Sequence, residues 1–102
     1  MNQIAVLVKQ PGKPCKLTKI SNDLYYFQKL VGGYIECCTI TDTLVAIIDE
    51  DGKFKEKEPN IPLFGGSDWF VGTVVFCSRK GEELDSITAA DLDMLSWFFG
   101  VE

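Results

Sequence analysis

ISNDLYYFQKLVGGYIECCTITDTLVAIID, residues 20–49, reads as a capped helix, a double-glycine stop, a strand, a tight turn and a second strand. Ser21 or Asn22 can accept hydrogen bonds from the free N–H groups of a first helical turn, and Asp23 complements the dipole. Leu24, Phe27 and Val31 recur at helical spacing, with Leu30 beside them. Gly32-Gly33 supplies the left-handed residue that closes a helix and allows close helix–sheet packing. A phosphate cradle is the competing reading of the two glycines, but such loops precede a helix and this pair follows one. A strand is expected over 34–40, a polar turn at Thr41-Asp42-Thr43, and an interior strand over 44–49, apolar on both faces.

Outward from this unit, Ile4 to Val8 reads as a first strand. The first residues lack a basic leader and a long apolar segment, so they do not read as a signal peptide. Pro11-Gly12 marks a turn, and Lys16 to Ile20 reads as a short edge strand. Asp51-Gly52 is a hairpin-type turn signal, with Phe54 starting a short return strand. The carboxylates of Asp49, Glu50 and Asp51 read as solvated. Residues 55–68 read as loop, 70–78 as one long central strand, and 79–83 as a polar loop. Thr88-Ala-Ala-Asp91 resembles a capping box. It opens a helix over 89–99, with Leu92, Leu95 and Phe99 at helical spacing, Met94 and Phe98 beside them, and a stop at Gly100. The expectation is one domain over 1–102, α+β, a single mostly antiparallel sheet packed by two helices.

The 102 residues hold no histidine and four cysteines, at 15, 37, 38 and 77, without a Cys-x-x-Cys pair. Ser-His-Asp and Cys-His sites and most zinc patterns are therefore excluded. No Walker loop or dinucleotide fingerprint occurs. The reading is a binder, not an enzyme, with no catalytic residues, no metal and no cofactor. Cys37 and Cys38, adjacent in a strand, are expected on opposite faces, reduced and structural. No apolar run is long enough to cross a bilayer as a helix.

The net charge of −5 is uneven. Lys9, Lys13, Lys16, Lys19 and Lys29 face only Asp23 in the first 30 residues. Glu82, Glu83, Asp85, Asp91, Asp93 and Glu102 have no basic counterpart over 82–102. An acidic total argues against direct nucleic-acid binding.

Two contact surfaces are proposed by the residues. The first is the stretch Asn60 to Trp69, where Gly65, Gly66 and Ser67 offer backbone N–H groups, Asn60 and Asp68 polar handles, and Phe64 and Trp69 flat faces. A glycine-rich connector with its aromatics in the core is the alternative. The second is an acidic C-terminal face of Glu82, Glu83, Asp85, Asp91 and Asp93, suited to a basic surface on a host protein. A rival function is capture of a small nucleotide or signalling molecule. There Lys9, Lys13, Lys16 and Lys19 would meet phosphates, Tyr34 or Trp69 would stack on a base, and a homo-oligomer would help enclose the ligand.

Val-Gly-Gly-Tyr-Ile-Glu (31–36), Ala-Ile-Ile-Asp-Glu-Asp-Gly-Lys (46–53), Pro-Asn-Ile-Pro (59–62), Gly-Thr-Val-Val-Phe (72–76) and Leu-Asp-Ser-Ile-Thr-Ala-Ala-Asp-Leu (84–92) together carry a resemblance. The chain resembles the domain-of-unknown-function family 3846, small proteins of Firmicutes phages, plasmids and conjugative elements. The Cys37-Cys38 pair and the lysine-rich 9–19 segment depart from common members. The resemblance implies a cytoplasmic life in a bacterial host and an accessory, mobile-element role. It brings no catalytic residues. The function expected is stoichiometric inhibition of a host defence or regulatory protein.

Overall fold

The computed structural model describes residues 2–102. Its strands are β1 (Gln3–Lys9), β2 (Cys15–Ser21), β3 (Ile35–Thr39), β4 (Leu44–Asp49), β5 (Pro59–Leu63), β6 (Asp68–Val71), β7 (Val74–Lys80) and β8 (Glu83–Asp85); the helices are α1 (Leu24–Val31) and α2 (Ala89–Phe99). The main sheet runs β2-β1-β7-β4-β3, with β8 paired to β7, and every ladder in it is antiparallel. This is the α+β architecture the sequence implies.

The period of two along each strand divides the core between the faces. Val6, Val45, Ile47, Val75 and Cys77 meet Phe27 and Val31 of α1 on one side. Leu7, Leu44, Ala46, Val74 and Phe76 meet Leu95 of α2 on the other, where Ile61 and Phe70 bring in a second element. That element is a two-stranded ribbon, β5-β6, which shares the α2 face.

The ribbon is the main departure from expectation. The apolar run 70–78 is not one strand. Gly72 turns it at φ 72°, so β6 belongs to the ribbon and β7 to the sheet. The predicted loop 55–68 contains β5, and the 79–83 loop is the tip of a β7-β8 hairpin. Phe54 lies in a turn, almost wholly exposed, and not in a return strand.

The helix ends follow local chemistry. Asp23, not Ser21 or Asn22, caps α1, its Oδ1 accepting from the Tyr26 N–H at 3.1 Å. Gly32 closes the helix in the left-handed region, at φ 83°. Thr88 caps α2, its hydroxyl accepting from the Asp91 N–H. The Asp91 carboxylate does not reach back as a capping box would; it accepts from the Thr43 hydroxyl at 2.7 Å.

Candidate functional site: a groove beside the β3 edge

Glu36, Cys38 and Ile40 alternate onto the α2 face of β3 and its extension, opposite Ile48, Ala46 and Leu44 of β4. The ribbon rises over this part of the sheet but leaves an opening of about 560 Å³. Cys38 and Ile48 lie at its floor, Leu63, Phe64 and Trp69 along the ribbon wall, and Glu36, Glu50, Lys53 and Asp68 at its rim. A mostly apolar concavity with few polar groups is the usual form of a recognition site.

The aromatic wall is set by the ribbon tip. Phe64, Gly65 and Gly66 carry the ribbon tip through left-handed backbone, at φ 51°, 67° and 95°, and the Ser67 hydroxyl donates to the Phe64 carbonyl at 3.1 Å. Phe64 takes φ 51°, a left-handed conformation that a bulky side chain seldom adopts, and the residue is 85% exposed. Trp69 remains 38% exposed on β6. Asp68 pairs with Lys53 across the rim and accepts from the Trp69 N–H.

Of the proposed 60–69 surface, Phe64, Asp68 and Trp69 line the groove. Gly65, Gly66 and Ser67 shape its tip. Asn60 is elsewhere: its Nδ2 donates to the carbonyls of Lys9 and Gly72, both at 2.8 Å, and its Oδ1 accepts from Lys9 Nζ at 3.1 Å. It ties the ribbon to β1. Lys9 is correspondingly 7% exposed, its ammonium also near the Phe99 ring, so it is a structural lysine and not one offered to phosphate.

The remaining lysines of the nucleotide reading do not join the aromatics. Lys16 and Lys19 lie on β2, at the opposite edge of the sheet from β3, and Lys13 lies in the turn before β2. Tyr34 is exposed but does not line the groove. The acidic face is also redistributed. Glu82 and Glu83 are exposed on the β7-β8 hairpin and Asp93 on α2, and Asp85 is half-buried. Asp91 is 8% exposed and bonded to Thr43, so it is not partner-facing; it sits on the buried side of the first helical turn. Met94, Trp97 and Phe98 of α2 are turned to solvent.

The carboxylate read as solvated, Asp49, is 3% exposed. Lys55 and Lys57 approach its Oδ2 at 2.8 and 2.7 Å, and the Asp51 N–H donates to its Oδ1. The same ammonium groups donate to the last carbonyls of α1, Lys57 to Val31 and Lys55 to Gly32. Burial acts to raise the Asp49 carboxyl, but the two lysines and the Asp51 N–H outweigh it and hold it down at about 2. Gly33 lies against this cluster, where an added Cβ would stand 2.6 Å from Lys55 Nζ and 2.8 Å from Asp49 Oδ1. Two of the family-like segments, 31–36 and 46–53, thus meet at one charged lock. No signal local to either segment announces it.

A mostly antiparallel sheet, a helix on each face and a ribbon-walled groove define a small α+β protein. The chain belongs to the family described as Domain of unknown function (DUF3846), which matches residues 1–98. No curated protein and no solved structure matches the sequence significantly. Among the described residues, no helix is long and apolar enough to cross a membrane.

Proposed function

We propose that the protein acts by stoichiometric binding of another protein, with the groove beside β3 as its contact surface. The observation that carries this reading is Phe64, held in a left-handed backbone with its ring turned to solvent at the groove wall. Strained backbone clusters at ligand clamps and switch regions, and an exposed aromatic at the same residue supplies contact area. The partner we propose is a host defence or regulatory protein that the bound chain inhibits, the reading to which the sequence resemblance points.

Affinity purification from host lysate at low and high salt tests this, run in parallel with Phe64→Ala and Lys16→Ala. A partner held by the wild type and by Lys16→Ala, and lost by Phe64→Ala, is the expected result. Equal recovery by all three chains, or none by the wild type at either salt, rejects the groove as the contact.

A further inference from the structure

We propose that β3 is the docking edge for an extended, basic and apolar peptide segment of the partner, which adds to the sheet as a further strand. This rests on the groove being the contact surface and specifies how the partner enters it.

The backbone pairing shows which groups are free. The Glu50 N–H donates to the Tyr34 carbonyl and the Ile40 N–H to the Leu44 carbonyl. Antiparallel strands alternate between hydrogen-bonded and non-bonded pairs. With the unbroken register of β3 on β4, Glu36 and Cys38 therefore bond inward, opposite Ile48 and Ala46. The N–H and C=O groups of Ile35, Cys37 and Thr39 face outward, where β3 is the last strand of the sheet. The opposite edge is guarded: β2 carries Lys16 and Lys19, and its first residue, Cys15, is bridged in parallel by Val101. β3 has no lysine, no proline and no bulge, three of the devices that blunt an edge, and its one charge, Glu36, is on the groove face.

The groove lies along this edge and selects the occupant. An added strand satisfies the outward backbone groups and sends every second side chain to the groove side. Glu36 and Glu50 have no salt bridge among the described residues, whereas Lys53 is neutralised by Asp68. A lysine or arginine is thus favoured opposite Glu36, and an apolar residue two positions along, opposite Cys38 and toward Phe64. A second copy fits less well, since its own β3 carries Glu36 and each chain has a net charge of −5.

The test uses the 15N-labelled full chain and capped peptides of about eight residues, matched to an ordinary strand length. One carries lysine and leucine two positions apart with threonine between them, so that both face the groove; one has glutamate for lysine; one is N-methylated at alternate residues. The expected result is slower amide exchange at Ile35, Cys37 and Thr39, by about tenfold or more, with the basic peptide alone. Glu36→Lys should reverse the preference between the basic and acidic peptides. Cys37→Pro removes an outward N–H without breaking the β3–β4 ladder and should weaken binding; if it fails to fold, the N-methylated peptide decides.

Unchanged exchange at all three amides with the basic peptide at millimolar concentration overturns the proposal. Shifts at Phe64 and Trp69 without edge protection overturn strand addition while leaving the groove reading standing. Outward amides already protected in a peptide-free dimer assign the edge to a second copy and overturn it as well.

Discussion

Lys9 and Asn60 hold one another from both ends: the Lys9 ammonium donates to Asn60 Oδ1 at 3.1 Å, and Asn60 Nδ2 donates to the Lys9 carbonyl at 2.8 Å. Fifty-one positions apart, they fasten the β5-β6 ribbon to the central sheet. Asn60→Ala leaves a mostly buried ammonium short of an acceptor and two carbonyls short of a donor. The expected loss is about 1–3 kcal/mol, read from urea unfolding, with exchange rising first in the ribbon amides. An unchanged midpoint would show that the ribbon is held by Ile61 and Phe70 packing alone.

The Asp49 lock gives the fold an acid limit. Its folded-state value of about 2 lies below the ordinary 3.8, so its contribution is complete above the unfolded value and declines as pH falls toward the folded one. The contribution is on the order of 1–2 kcal/mol, after allowance for solvent screening at the partly exposed lysines. Urea midpoints measured between pH 6 and pH 2.5 should fall below about pH 4. In Asp49→Asn, itself destabilised, this part of the slope should vanish. An identical slope in the variant would place the acid response elsewhere.

Gly33→Ala should be more costly than a helix-stop alanine usually is. The new methyl enters the space between Lys55 Nζ and Asp49 Oδ1, both within 3 Å of it. The expected penalty is about 1–3 kcal/mol, with a flattened acid response, because the lysines must withdraw from Asp49. Tolerance of alanine without change in either quantity argues that the lysine ends simply swing aside.

Phe64→Gly separates stability from binding. Glycine adopts φ 51° without strain, so thermal stability should hold or rise by up to about 1 kcal/mol equivalent. Partner recovery should nevertheless be lost with the ring. A stability loss instead would mean that the exposed phenyl packs on the ribbon more than the residue's 85% exposure implies.

The cysteines divide by face. Cys38 packs with the α2-side cluster, while Cys37 is exposed on the α1 side. Cys38→Ser should cost about 1 kcal/mol and Cys37→Ser almost nothing. Under native conditions a thiol reagent should reach Cys37 first and Cys77 last. Burial pushes the Cys77 thiol up to about 12; burial also raises the Cys37 thiol, but Cys37 is exposed and Cys77 is not. Rapid loss of all four thiols together would indicate global opening during labelling.

The elements with local signals were legible: α1 with its Gly32 stop, α2 with its Thr88 cap, and β4, whose continuous apolar run marks an interior strand. The ribbon was not. Val71-Gly72-Thr73 keeps its β character across the break, and only the backbone angle at Gly72 separates β6 from β7. Pro59 and Pro62 argued against a strand, yet each is tolerated because the ribbon has just two strands and so consists of edges. At the site, the aromatics Phe64 and Trp69 were readable from composition. The roles of Asn60, Lys9 and Asp49 were not, because each depends on a partner brought in by chain folding. Asp91 misled for a related reason: a carboxylate in a first helical turn is usually exposed, and here Thr43 of a distant turn covers it.

β7 is hydrogen-bonded to β1 on one side and to β4 on the other, and no ladder joins β1 to β4 directly. A ribosome making this chain therefore delivers two hairpins, β1-β2 and β3-β4, well before the strand that unites them. Until residue 80 has emerged, each hairpin exposes the backbone edge that β7 later takes, in addition to the outer edge of β3. Assembly of the sheet is then a late event that waits on long-range pairing, which slows folding. A newly made chain is open to aggregation or to capture by a chaperone for at least the time translation takes to cross the ribbon, residues 59–71, and complete β7, and then until β7 has paired.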